Sequence, residues 1–83
     1  GYYMIESGSC GGALILNKRE CDAAATALDL SEKNAYDAIS WAPPSAIWPP
    51  GCVFDSSYLY VFGGGSRGSC SSSKKCICKI SSP

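Results

Sequence analysis

Histidine is missing from this 83-residue chain. That absence removes the commonest general base and the commonest neutral metal ligand. Charge of either sign is scarce and balanced: seven Lys and Arg against seven Asp and Glu leave a formal net charge of zero. A nucleic-acid binder needs a cationic face to displace counterions from phosphates, and a membrane-surface segment needs a basic cluster. Neither is here, and no apolar run approaches the roughly 20 residues of a membrane span. The chain also has no Asn-x-Ser/Thr site, because Asn17 precedes Lys18-Arg19 and Asn34 precedes Ala35-Tyr36. N-linked glycosylation is therefore not expected.

What remains is cysteine. Six of them, Cys10, Cys21, Cys52, Cys70, Cys76 and Cys78, are spread along nearly the whole length. A single domain of this size (1–83) buries only about 60–65% of the surface its unfolded chain exposes, so its stability margin is thin. Disulfides, each worth about 2–4 kcal/mol, supply what a small core does not. The competing readings are a redox or free-thiol role and a zinc site, but zinc ligands come as C-x-x-C pairs or with histidine, and here there is one C-x-C and no histidine. No metal and no cofactor is expected. Three disulfides place the chain outside the reducing cytosol, secreted or at a cell surface. It begins Gly1-Tyr2-Tyr3 without a charged and then apolar leader, which fits either a mature secreted chain or one module of a longer one.

Local patterns predict an α+β domain, disulfide-rich, with one helix over about 18–29 packed on a small antiparallel sheet. Asn17 is a good N-cap, with Glu20 three residues on as the reciprocal half of a capping box. Cys21, Ala24, Ala25 and Leu28 recur at i, i+3, i+4 and i+7, one helical face. Tyr2–Glu6 reads as a first strand and Leu14–Leu16 as a strand stub. Ala35–Trp41 is ambiguous and is read as extended, since Pro43 and Pro44 follow. Cys52–Phe54 and Tyr58–Phe62 form a hairpin across Asp55-Ser56-Ser57. Its alternation puts Leu59 and Val61 on one face and Tyr58, Tyr60 and Phe62 on the other. Lys75–Ile80 is a last strand, with Cys76 and Cys78 on one face and Ile77 on the other. Two cysteines on one strand face reach different partners.

Six cysteines allow fifteen pairings, and spacing does not choose among them. The first choice is Cys21–Cys52, joining helix to hairpin, with Cys10 and Cys70 sharing Cys76 and Cys78 in either order. The stretch 42–51 holds four of the five prolines together with Ile47 and Trp48. Trp48 there is either a lid folded onto the core or an exposed contact. The glycine-rich run Gly63–Ser69 reads as a flexible loop, without the Gly-Lys-Ser/Thr ending and following helix of a phosphate loop.

Ser7–Cys10 (SGSC), Glu20–Ala25 (ECDAAA), Pro49–Cys52 (PPGC), Leu59–Phe62 (LYVF) and Cys76–Lys79 (CICK) occur in an order that resembles a cysteine-rich module of extracellular proteins in algae and other protists. Val53 stands where that module usually has tyrosine, and Val61-Phe62 where it usually has Phe-Asn. The resemblance implies an extracellular context and no particular activity. At a coarser level the helix-on-sheet arrangement is similar to apple/PAN and WSC modules, which implies adhesion or glycan contact.

Catalysis is not expected. Of the seven carboxylates, Glu6, Glu20, Asp22, Asp29, Glu32, Asp37 and Asp55, three lie on or beside the helix and read as capping or solvated-face residues, and no serine has a visible base partner. The leading functional expectation is a structural or assembly module whose partner is itself or repeated copies of it, in an appendage, matrix or filament. The alternative is a glycan-binding or adhesion module, and a third is a small accessory subunit of a larger complex. Candidate contact residues are Tyr2, Tyr3, Trp41, Trp48, Tyr58 and Tyr60. The strands Tyr2–Glu6 and Lys75–Ile80 are expected to be edges that could augment a neighbour's sheet. Pro43, Pro44, Pro49 and Pro50 are candidate sites of hydroxylation and O-glycosylation, as are the serines between 66 and 73.

Overall fold

A computed structural model describes residues 1–40 and 43–80. The expectations at Trp41 lie outside those residues. Helix α1 (Lys18–Ala27) begins where the side chain of Asn17 accepts the amide of Glu20 at 2.7 Å. Only this half of the capping box forms. The Glu20 carboxylate turns away, to accept the Tyr2 hydroxyl at 3.4 Å and to face Lys79 Nζ at 3.8 Å. The helix stops two residues before the expected 29, because Asp29 adopts a left-handed φ of 54°. The amides of Asp29 and Leu30 then bond back to the carbonyls of Thr26 and Ala25, at 3.1 and 3.0 Å. That is a Schellman closure with aspartate in the position glycine usually takes.

Five strands follow the order β1-β5-β3-β4-β2: β1 (Tyr2–Ile5), β2 (Tyr36–Asp37), β3 (Gly51–Asp55), β4 (Tyr58–Phe62) and β5 (Lys75–Lys79). The hairpin turns on Ser56-Ser57, pairing Asp55 with Tyr58 and Val53 with Tyr60. Three expectations about the strands need correction. The sheet is mixed, since β2 runs parallel to β4, Tyr36 opposite Tyr60. And β5 is no edge: it lies between β1 and β3 and is paired on both sides. The edges are β1 and the two-residue β2. Leu14–Leu16 is irregular chain rather than a strand, anchored by the Lys79 amide on the Ala13 carbonyl at 3.0 Å and by burial of Ile15.

The stripe of Cys21, Ala24 and Ala25 lies against one sheet face, with Leu59, Val61, Cys52, Phe54 and Ile77 beneath it. Small side chains on the helix let it approach the sheet closely. Cys21 bonds Cys52, α1 to β3. Cys76 and Cys78 project from the other face of β5 to Cys70 and Cys10 respectively. All six cysteines are paired, which suits an oxidising compartment.

Candidate functional site

The helix covers one face of the sheet; the opposite face carries the rings. Alternation along β4 puts Tyr58, Tyr60 and Phe62 there, and the parallel register of β2 sets Tyr36 beside Tyr60. Tyr36 and Tyr60 stack with centroids 5.6 Å apart and planes 25° from parallel. Trp48 lies on the other side of Tyr60, 5.0 Å from it, and stacks on Phe62 at 5.0 Å. Tyr58 tilts against Tyr60 at 6.4 Å. Lys74 Nζ sits 5.1 Å from the Trp48 ring, a cation over a π face. The result is a row of Lys74, Trp48, Tyr60 and Tyr36 across the sheet, flanked along β4 by Tyr58 and Phe62.

Trp48 reaches this place because the proline-rich segment is pinned to the glycine-rich loop. The Ser45 hydroxyl accepts the amides of Ile47 and Trp48 at 3.0 and 2.9 Å, a local serine turn. The Ser45 amide donates to the hydroxyl of buried Ser66 at 3.1 Å. The Arg67 amide donates to the Ser45 carbonyl at 2.7 Å, and that of Gly68 to the Trp48 carbonyl at 3.0 Å. A Cβ on Gly68 would overlap the Ile47 carbonyl, so only glycine permits this approach. The loop read as flexible is thus one wall of a clamp.

Position 36 is fixed from the helix. Asp22 accepts the Ala35 amide at 2.6 Å through one carboxylate oxygen and Lys18 Nζ at 2.7 Å through the other. Lys18 also reaches the Asn34 side chain at 2.7 Å. The Ala38 amide then bonds the Val61 carbonyl at 3.0 Å. Asp22 was expected on a solvated face; it is a tether.

Within the row, exposure is graded. Tyr36 is 56% and Tyr58 53% exposed, while Trp48 and Tyr60 are half-buried and Phe62 is buried. Trp48 and Tyr60 cover Val53, Ala38 and Phe62, a second small core. Trp48 is therefore lid and surface at once. Burial pushes the Tyr60 phenol above its ordinary value, and the charges of Asp55 and the neighbouring phenols Tyr36 and Tyr58 push the same way.

Of the six contact candidates, the structure brings Trp48, Tyr58 and Tyr60 together. Tyr2 stands elsewhere: it packs against the helix-side core and spends its hydroxyl on Glu20. Burial first, then the Glu20 charge and hydrogen bond, raise its phenol as well. Tyr3 is exposed but belongs to β1, with β5 and β3 between it and β4. Trp41 is outside the described residues. Tyr36, Phe62 and Lys74 complete the row and were not chosen from sequence. Phe62 had a signal, the alternation of β4, whereas no local pattern marks a two-residue parallel pairing. Among the proline candidates, Pro43 and Pro44 are exposed, Pro50 is half-buried, and Pro49 is fully buried. A sugar on Pro49 has no room in the folded chain. Ser66 is buried too, whereas Ser69, Ser72 and Ser73 are exposed.

Among the described residues no three Cys, Asp or Glu side chains converge as metal ligands, and no helix is long and apolar enough to cross a membrane. No family model, curated protein or solved structure matches the chain.

Proposed function

We propose that this chain is a non-catalytic extracellular module that packs against copies of itself, or against repeats of the same kind, through the aromatic row. It serves as a repeating subunit of a cell-surface appendage, matrix or filament. The observation that carries the reading is the row itself: five aromatic rings on one sheet face, with Tyr36 and Tyr58 more than half exposed. Large amphipathic rings of this kind dominate interface energetics, because they bury much area at low entropic cost. Exposed Ile47, 70% accessible beside Trp48, adds apolar surface. A net charge of zero removes the repulsion that would oppose stacking of copies. The resemblance to algal and protist extracellular modules belongs to the same reading.

The test is size against concentration, by light scattering on the native chain. Growth with concentration is expected, and the Tyr36→Ser, Tyr58→Ser double variant should disperse it. A monomer at every concentration, with both tyrosines open to solvent, would overturn assembly. A second reading, glycan or adhesion binding, is favoured by one observation: the near-parallel stacking of exposed Tyr36 on Tyr60. It is separated from the first by a monomer whose tryptophan fluorescence responds saturably to an oligosaccharide.

A further inference from the structure

The covalent cross-links of this molecule are unevenly placed. Disulfides reach the chain at residues 10, 21, 52, 70, 76 and 78. Between Cys21 and Cys52 nothing covalent holds the described chain to its neighbours, and that stretch contains β2. The outermost strand beyond β4 is also the shortest, with two residues in register. In that register Tyr36 and Tyr60 are directly opposed, so the ladder itself holds their rings on one face. The rings stack at 5.6 Å and 25°.

The surroundings favour one-electron chemistry at these phenols. Tyr36 is open to a diffusing oxidant. All six cysteines are in disulfides, so no thiol is present to quench a phenoxyl radical. The sole methionine, Met4, packs on the helix-side core, away from the row. The three disulfides suit an oxidising compartment, where such oxidants operate.

We propose that Tyr36 and Tyr60 are a site of intramolecular dityrosine formation, a fourth cross-link that fastens β2 to β4. The co-reactant is hydrogen peroxide acting through a haem peroxidase. Each phenol loses one electron and one proton. The two radicals join through ring carbons ortho to the hydroxyls. Each ring then moves its displaced hydrogen to oxygen, restoring both phenols. The net loss is two hydrogens from the protein, and one peroxide is reduced to two waters. This inference is independent of the assembly reading, since it concerns a bond within one chain.

The experiment treats the native, disulfide-intact chain at high dilution with peroxidase and hydrogen peroxide. The expected product is a monomer lighter by two hydrogens, with dityrosine fluorescence. After reduction and proteolysis, the peptide carrying Tyr36 should be joined to the one carrying Tyr60. Y36F and Y60F should each abolish that product, and Y58F should leave it. Phenylalanine keeps a ring in the stack, so the far-ultraviolet circular dichroism and melting temperature should stay close to those of the parent and confirm folding. A cross-link mapped to Tyr58, coupling found only between chains, or oxygen added at Trp48 in place of coupling would each overturn the proposal. So would a monomer of unchanged mass.

Discussion

Gly68→Ala is the sharpest perturbation the clamp offers. The added methyl would overlap the Ile47 carbonyl and lie 2.5 Å from the carbonyl carbon of Trp48. Both are backbone atoms, so no rotamer change relieves the clash; the segment 43–50 must lift. Lifting breaks the Gly68-to-Trp48 and Arg67-to-Ser45 backbone bonds, each worth about 1 kcal/mol net. It also withdraws Trp48 from Phe62 and Tyr60, two aromatic pairs at about 0.5–1.5 kcal/mol each beyond area burial. The combined loss is about 3–5 kcal/mol, and at about 4–8 °C per kcal/mol for a domain of this size the melting temperature should fall by roughly 12–40 °C. Near-ultraviolet circular dichroism should lose the Trp48 part of its tryptophan fine structure at the same time. Gly63→Ala is the matched control, because nothing lies within 4 Å of its Cβ position. The reasoning is refuted if G68A melts with the parent, or if G63A falls as far.

Other consequences follow from the same geometry. Removing Cys21–Cys52, with its separation of 31 residues, should cost about 3.7 kcal/mol by the loop-entropy relation, whereas removing Cys70–Cys76, with a separation of 6, should cost about 2.2; paired Ala variants compared by thermal unfolding test that order. Asp29→Gly should stabilise by about 0.5–1 kcal/mol, because glycine fits the left-handed position that closes α1 without strain; a chemical-denaturation midpoint that falls would contradict the Schellman reading. Tyr60 holds its proton more tightly folded than unfolded, so the stability this contributes is complete below the ordinary value of 10.0 and is lost as pH rises through the raised folded value. The melting temperature should therefore drop less steeply above pH 10 in Tyr60→Phe than in the parent.

Patterns carried by a local period were legible in the sequence. The stripe Cys21, Ala24, Ala25 and Leu28 is the face α1 turns to the sheet, and the alternation of Tyr58–Phe62 separates a core face from a ring face. That Cys76 and Cys78 share a strand face leaves them to different partners, as they are. Features that depend on distant backbone meeting distant backbone carried no such mark. The Tyr36–Tyr60 register is a two-residue parallel pairing across more than twenty residues of chain, and Ala35–Trp41 has neither helical nor strand period to announce it. The end of α1 was misjudged because Asp29 is an unusual left-handed residue where glycine would have signalled a stop. Glycine at 63–68 read as flexibility, yet at Gly68 it serves close approach. Both meanings follow from the missing Cβ, and only the neighbour decides between them.

The candidate site therefore sits on the part of the fold with the least covalent support. Two disulfides anchor β5 and the third anchors α1 to β3, whereas β2 depends on hydrogen bonds, one ring stack and the two buried alanines that flank it, Ala35 and Ala38. Asp22 is the strongest of those ties, and its carboxylate accepts the amide of buried Ala35. Asp22→Ala leaves that amide without its charged partner, a loss of about 1–3 kcal/mol. If β2 opens as its own unit, the loss falls on local opening rather than on global unfolding. Exchange of the Ala38 amide, which bonds Val61, should then accelerate roughly 5- to 150-fold. Amides in β3 and β5, such as those of Val53 and Ile77, should keep their protection. Equal acceleration across all three strands would show that β2 is welded into the global folding unit. The aromatic row would then be a rigid platform, and a cross-link at Tyr36–Tyr60 would add little to it.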